Sequence, residues 1–208
     1  MPAPKSLTRI LPVVAIAAGL LMASPAADAA TKKKKGAVAT VALGDKRPVK
    51  AYAAITCQNT DLLPTPENTE VVRAAILCLH NQVRAAKGLP TLRDNAKLRK
   101  AAVGHSSAMV SQGYFDHSSP SGDTFVDRVI GAGYAKRNDG WTLGENLAWG
   151  TGDLSTPAGI MQSWMNSSGH KANILKKAYR EVGIGIRLGV PSDNGVGATI
   201  TAEFGARL

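Results

Sequence analysis

Apolar residues recur every three or four positions between residues 65 and 113, which is the spacing of helices that bury one face. The first run predicts a helix that begins at Thr65-Pro66, a capping residue followed by proline, and stops at Gly88. A second run predicts a helix capped by Asp94 and ended by Gly113. The apolar faces of these two helices carry Val72, Ile76, Leu79 and Val83, then Leu98, Ala102, His105 and Met109.

The pattern changes to alternation in the second half of the chain. Residues 182–188 alternate apolar residues with glycine or polar residues, and residues 141–149 and 199–204 are also strand-like. Shorter helices are predicted over residues 124–130, from Thr156-Pro157 to Met165, and just after His170. Helices thus precede strands, and this order predicts an α+β fold with an antiparallel sheet rather than alternating βαβ units.

The first thirty residues have the pattern of a targeting segment. Lys5 and Arg9 precede an apolar stretch over residues 10–23, and Ala27-Asp28-Ala29 places small residues where a signal peptidase cleaves. We therefore expect residues 1–29 to be a signal peptide and the mature chain to begin near Ala30, which implies a secreted protein, either released or held in the wall or periplasm. The alternative is a transmembrane anchor, since residues 10–27 are uncharged.

Positive charge is concentrated near the same end of the chain. The formal net charge is +10, and residues 1–50 hold nine Lys or Arg against two Asp or Glu. The remainder therefore lacks the composition of a nucleic-acid-binding domain. Residues 30–56 are expected to be a basic flexible linker, either a solvated spacer or a segment that adheres to an anionic surface. Residues 57–208 are expected to form the domain proper, a monomer without a membrane span.

Two cysteines, Cys57 and Cys78, are present in the whole chain. In an exported protein such a pair most simply forms one disulfide. Two buried free thiols are the alternative. A metal site built on these cysteines is not expected, because there is no second pair of thiols and no suitable histidine nearby.

Candidate chemistry lies in two loop histidines and one glutamate. His117 in "YFDHSSPSG" and His170 in "SSGHKANIL" each follow a predicted helix in a polar segment, the kind of position where site residues concentrate. Glu145 in "GENLAWG" shares its predicted strand face with large apolar residues, where an unpaired carboxylate is costly. His105, on an apolar helix face, is expected to be a hydrogen-bonded core residue, and His80 to be structural.

Several motifs together resemble a known family. "HNQVRAAKGLPTL", "HSSAMVSQGYFDHSSPSG", "GENLAWG", "SWMNSSGHKANIL" and "EVGIGI" are similar to the ordered motifs of the CAP superfamily, and most similar to its bacterial branch of SCP-like extracellular proteins. The resemblance implies an α-β-α sandwich with a central antiparallel sheet. It also implies a cleft lined by two histidines and two acidic residues.

Transferred residue by residue, the resemblance assigns the cleft to His117, Glu145 and His170. The second acidic position, one helical turn after Trp164, is Ser167 in this chain. We expect Glu145 to leave its apolar strand face through the freedom of Gly144 and to meet both imidazoles. Its charge should then raise the pKa of both histidines.

Three functions are compatible with these residues. The first is a binding module for a small ligand, lipid, peptide or cell-wall component, or for a divalent metal such as Zn²⁺ held by His117, Glu145 and His170, with no cofactor required. The second is a peptide or ester hydrolase in which a histidine base activates a serine or a water. The third is an inert scaffold for surface interactions.

Overall fold

The computed structural model of the protein describes residues 55–192 and 195–208. The predicted signal peptide and nearly all of the predicted linker lie outside these residues. The helices of the described region are α1 (Thr69–Ala85), α2 (Ala96–Gln112), α3 (Phe125–Gly131), α4 (Pro157–Asn166) and α5 (Ser168–Leu175). The strands are β1 (Arg93–Asp94), β2 (Trp141–Thr151), β3 (Glu181–Leu188) and β4 (Gly197–Arg207), and a 3-10 turn covers Gly152–Ser155.

The strands form one sheet in the order β1-β3-β4-β2. β4 pairs antiparallel with both β2 and β3, and the two-residue β1 adds a parallel edge beside β3. The predicted α+β class is therefore confirmed. The sheet is mixed rather than purely antiparallel only because of β1, a strand too short to leave a periodic signal in the sequence.

Helices cover both faces of the sheet and build two apolar clusters. On one face, α1 packs on β3, and α4 and α5 pack on β2; the apolar cluster there includes Val72, Ile76, Ile160, Trp164, Ile174, Val182, Ile184, Ile200 and Phe204. On the other face, α2 and α3 pack with residues of β2; this cluster includes Leu98, Ala101, Val129, Tyr134 and Leu143. The layers are those of the expected α-β-α sandwich.

Three helix boundaries differ from the sequence-based expectation. α1 begins at Thr69 rather than near Thr65, because the side chain of Asn68 accepts from the backbone N–H of Thr65 and closes a preceding turn. α2 is capped by Asn95, whose side chain accepts from Lys97 and Leu98, while Asp94 lies in β1 and pairs with Arg99 at 3.1 Å. His170 does not precede the last helix but is its third residue.

The predicted disulfide between Cys57 and Cys78 is present and joins the entry segment to α1. The same segment is fastened by two further contacts: Gln82 donates to the carbonyl of Ile55 at 2.7 Å, and the Ala158 amide donates to the carbonyl of Thr60 at 2.9 Å. The disulfide thus belongs to a set of anchors that hold residues 55–60 against α1 and α4. Within residues 55–192 and 195–208, no helix combines the length and hydrophobicity needed to cross a bilayer.

Candidate functional site

Glu145 lies in the middle of β2, on the sheet face covered by α2 and α3. β2 keeps its regular pairing with β4 through this point, and Glu145 is directly opposite Glu203. The expectation that Gly144 would let Glu145 leave its strand face is therefore wrong. Gly144 serves the opposite face instead, where a Cβ would collide with the Tyr179 hydroxyl. Residues directly opposite on antiparallel strands share a face, so Glu145 and Glu203 form a cross-strand carboxyl pair.

Three basic side chains surround the Glu145 carboxylate. His117 Nδ1 is 2.7 Å from Oε1, and Arg128 Nη2 donates to Oε2 at 2.7 Å. His105 Nε2 lies 3.8 Å from Oε2. The Glu145 side chain is only 1% exposed, so these groups, rather than solvent, stabilise its charge. The sequence pattern indicates that Glu145 shares its strand face with large apolar residues. In the structure, part of that face is a polar layer between the sheet and helices α2 and α3.

The loop that carries His117 is held in place from both neighbouring helices. His105, on α2, contacts the carbonyl of Asp116 through Nε2 at 2.9 Å. Arg128, on α3, donates to the carbonyl of His117 at 2.9 Å. The α3 N-terminus is fixed by a capping box between Thr124 and Asp127. His105 is a fully buried, hydrogen-bonded residue as expected, and it also sets the backbone next to His117.

His170 approaches the site from the other face of the sheet. It is carried by α5, which is anchored to β2 by Asn146: the Asn146 amide donates to the His170 carbonyl at 3.1 Å and accepts from Asn173 at 2.9 Å. β2 is an edge strand of the sheet, so groups from both faces can meet beyond it. The positive charge of His117 influences His170. We call the region at this edge that carries His117 and His170 the cleft, after the cleft that the family resemblance implies.

Ser167 occupies the junction between α4 and α5. Its amide bonds to the carbonyl of Trp164 and its own carbonyl accepts from Lys171. The Ser167 side chain makes no capping hydrogen bond to α5. Ser167 therefore ends α4 and begins α5 through its backbone.

The charges of the site follow from these contacts. Burial alone would raise the pKa of Glu145, but the hydrogen bond from His117 and the charge of Arg128 hold that pKa below its ordinary value. The hydrogen bond to Glu145 raises the pKa of His117, against the effect of partial burial. Glu145 is therefore ionised and His117 favours its imidazolium form.

The pKa of His170 behaves differently from the sequence-based expectation. Burial, followed by the charge of His117, lowers the pKa of His170. The expected upward shift is wrong for this residue because burial disfavours its charge and because the charged group that acts on it is the cation His117, not the anion Glu145. Burial also lowers the pKa of His105, although Glu145 opposes the effect.

The described residues do not fit a three-ligand metal centre. Both Glu145 oxygens are already engaged, one by His117 Nδ1 and the other by a guanidinium, and a fixed cation repels a metal ion. No group of three or more His, Cys, Asp or Glu side chains is placed to hold a metal ion in the part of the chain that the structure describes. The expected set of His117, Glu145 and His170 is thus not arranged as a zinc site.

Two site residues could not be identified by local sequence reasoning. Arg128 lies within a short helix whose pattern indicates only amphipathicity, and Glu203 lies within the last strand of the described region. Alternation along residues 199–204 places Thr199, Thr201 and Glu203 on one face, which marks that face as polar. Its partner strand, and hence its proximity to Glu145, depends on a pairing between segments nearly sixty positions apart.

Comparison with known proteins identifies the family. Residues 77–200 match the Cysteine-rich secretory protein family, CAP. The uncharacterized protein YkwD of Bacillus subtilis (strain 168) is 31% identical over 134 residues, which are 64% of this chain and 49% of that protein. This chain therefore spans about half the length of that relative.

Solved structures show the same fold. An extracellular protein containing an SCP domain from Bacillus anthracis str. Ames superposes with a TM-score of 0.54 and 27% identity, over 68% of this chain and 43% of that one. An outer surface protein from Borrelia burgdorferi gives a TM-score of 0.53 at 18% identity, over 70% and 97% of the two chains. The family match covers more than half of the chain, and together with the likeness to the SCP-domain protein of Bacillus anthracis it establishes that the chain belongs to the CAP family, in its bacterial SCP-like branch.

Proposed function

We propose that this protein is an exported CAP domain that binds a ligand through a small acidic group, a carboxylate or a phosphate, at the cleft. The observation that carries the proposal is the contrast in exposure between His117 and its partner. The His117 side chain is 55% exposed, whereas the Glu145 side chain is 1% exposed. An incoming ligand therefore meets the imidazolium and not the carboxylate behind it.

The balance of charge supports an anion over a cation. Arg128 and His117 bring positive charge to the site, Glu145 is ionised, and burial with the adjacent Glu145 charge raises the pKa of Glu203 well above its ordinary value. Both Glu145 oxygens are engaged by these two cations and Glu203 is neutral, so His117 offers the exposed positive charge of the site, with the Asp116 carboxylate as a further anion that acts on it. A charge-assisted hydrogen bond from an imidazolium to a carboxylate or phosphate is stronger than a neutral one.

Export rests on the sequence and on one relative. Residues 1–29 have the signal-peptide pattern, the domain holds a disulfide, and the Bacillus anthracis relative is described as extracellular. Intact-mass measurement of the protein recovered from the medium or periplasm is expected to show a chain that begins near Ala30. A mature mass that retains residues 1–29 contradicts export by cleavage.

Ligand binding is tested by NMR titration with sodium phosphate and sodium acetate as separate probes at constant ionic strength. We expect millimolar binding near about pH 6 that shifts His117 resonances and weakens several-fold near about pH 8, because the donating imidazolium loses its proton. His117→Gln should abolish the effect. Arg187→Gln is the control: it removes one exposed charge four residues along β3 from Gly183, the residue opposite Glu203, and should bind as the wild type does.

A parallel titration with zinc chloride separates the alternatives. Metal binding requires neutral imidazoles and strengthens as pH rises, the reverse of anion binding. Zinc binding that depends on His117 and His170, without any phosphate or acetate response, overturns the acidic-ligand proposal in favour of a metal module. No response to any probe favours the scaffold function. Turnover of peptide or ester substrates that is lost in His117→Gln favours a hydrolase.

A further inference from the structure

The buried acid Glu203 has no role in the sequence motifs, yet it lies against the central carboxylate of the cleft. It is 0% exposed and directly opposite Glu145 in the β2–β4 pairing. On its other side, β3 presents Gly183, where a Cβ would collide with the α2 backbone at Leu98 and Arg99. Glu203 is therefore enclosed between two strands and a helix, with Glu145 as its polar neighbour.

The lack of hydrogen-bond donors around Glu203 identifies its protonation state. Neither Glu203 oxygen accepts a hydrogen bond from an N–H or O–H group among the described residues. An ionised carboxylate buried without donors is very costly. Glu145 is the residue directly opposite, and a hydrogen bond between these two carboxyl groups needs a proton on one of them, because two carboxylates are acceptors only.

The proton belongs on Glu203 rather than on Glu145. Glu145 is paired with His117 and Arg128 at 2.7 Å each, which stabilises its charge. Glu145 opposes the ionisation of Glu203, Arg128 favours it, and Glu203 in turn opposes the ionisation of Tyr179. Glu145 is thus the anion of the pair and Glu203 the acid.

We propose that Glu203 is a positioning residue of the cleft: its carboxylic O–H donates a hydrogen bond to Glu145 and fixes the carboxylate that holds His117. With this bond Glu145 accepts from three elements, namely the loop of His117, helix α3 and strand β4. Three donors in fixed directions leave the carboxylate one orientation. This chain has Ser167 at the family's second acidic position. Glu203 therefore brings a second acidic residue to the site, but from inside the sheet and as a neutral donor.

The inference concerns the same site as the proposed function but needs no ligand, so it is tested on the ligand-free protein. The measurement is the pKa of His117, followed by NMR in three variants. Glu203→Gln keeps an N–H donor of the same shape and should leave the His117 pKa unchanged. Glu203→Met removes the donor and should lower it. Glu145→Gln removes the charge itself and should lower it most, by roughly one unit.

Two results overturn the proposal. A His117 pKa that falls in Glu203→Gln as far as in Glu145→Gln means that Glu203 is ionised and acts as a second charge. A His117 pKa that stays unchanged in Glu203→Met means that Glu203 does not position Glu145. If Glu203→Met does not fold, infrared spectroscopy of the wild type at neutral pH decides: the carbonyl band of a protonated carboxyl group should be present and should disappear in Glu203→Gln, and its absence from the wild type refutes the proposal.

Discussion

At the scale of single residues, the cleft depends on how one carboxylate is shared. Glu145 Oε1 meets His117 and Oε2 meets Arg128, each at 2.7 Å. The two contacts have different consequences, since Arg128 is a permanent cation whereas His117 changes charge near neutral pH. The contact with Arg128 keeps Glu145 ionised in the interior, and the contact with His117 couples that charge to a side chain that exchanges protons with the solvent.

Substitution of Glu145 by Gln is expected to move the two cleft histidines in opposite directions. The His117 pKa should fall, because the hydrogen bond and the charge that raise it both come from Glu145. The His170 pKa should rise slightly, because a less charged His117 repels the His170 imidazolium less. NMR titration of both imidazoles measures this, and parallel downward shifts would show that His170 also contacts Glu145.

The site residues differ in whether a short sequence motif identifies them. His117, Glu145 and His170 stand in short motifs that name them directly. Arg128 and Glu203 reach Glu145 only through the packing of α3 and the register of β4. A cross-strand partner is fixed by pairing of distant segments, and a one-residue change of register would turn Glu203 to the opposite face. No local pattern in the sequence contains that information.

At the scale of elements, α2 and β3 approach closely because β3 offers glycines on one face. A Cβ at Gly183 would overlap the backbone of Leu98 and Arg99, and one at Gly185 would overlap that of Ala102 and Val103. The opposite face of β3 carries large apolar residues that pack on α1. The "EVGIGI" motif is thus explained by its two faces: bulk for one helix layer and open backbone for the other.

Gly183→Ala is expected to destabilise the fold by about 1–3 kcal/mol, because the added methyl group forces apart two packed backbones. Gly104→Ala is the matched control on α2, where a Cβ would have no neighbour within 4 Å. It should stabilise the helix by up to about 1 kcal/mol, since glycine is a poor helix former. Chemical denaturation measures both, and equal signs for the two variants would contradict the close-packing account.

The elements themselves were largely predictable, whereas some of their ends were not. Periodicity located all five helices and the three long strands of the described region, and Thr124 and Thr156 cap α3 and α4 as their types suggest. The start of α2 depends on which of two adjacent residues, Asp94 or Asn95, accepts hydrogen bonds from the first amides of the helix. β3 decides this by pairing with Asp94, and such tertiary pairing leaves no trace in local propensity.

At the scale of the whole molecule, the fold buries polar side chains whose charges depend differently on pH. His80 is fully buried between Trp164 and Phe204, with ring centroids 5.4 and 5.6 Å away. Its Nδ1 bonds to the Ile76 carbonyl, while its Nε2 has no partner among the described residues. Arg84, also fully buried, donates instead to four carbonyls, those of Pro90, Ile174, Lys176 and Tyr179, and does not change charge with pH.

The stability of the domain should therefore depend on pH through His80 and Glu203 with opposite signs. Burial lowers the pKa of His80 to about 4 from 6.5, so the unfolded chain binds this proton first and stability is lost as pH falls from about 6.5 to about 4, by on the order of 3 kcal/mol. Burial raises the pKa of Glu203, so its cost to stability grows as pH rises above about 4.5.

Denaturation curves between about pH 4.5 and about pH 6.5 separate the contributions of His80 and Glu203. Relative to the wild type, His80→Gln should gain stability as pH falls, and Glu203→Gln should lose stability as pH falls. If the two differences change in the same direction with pH, His80 and Glu203 cannot both be held neutral in the folded interior.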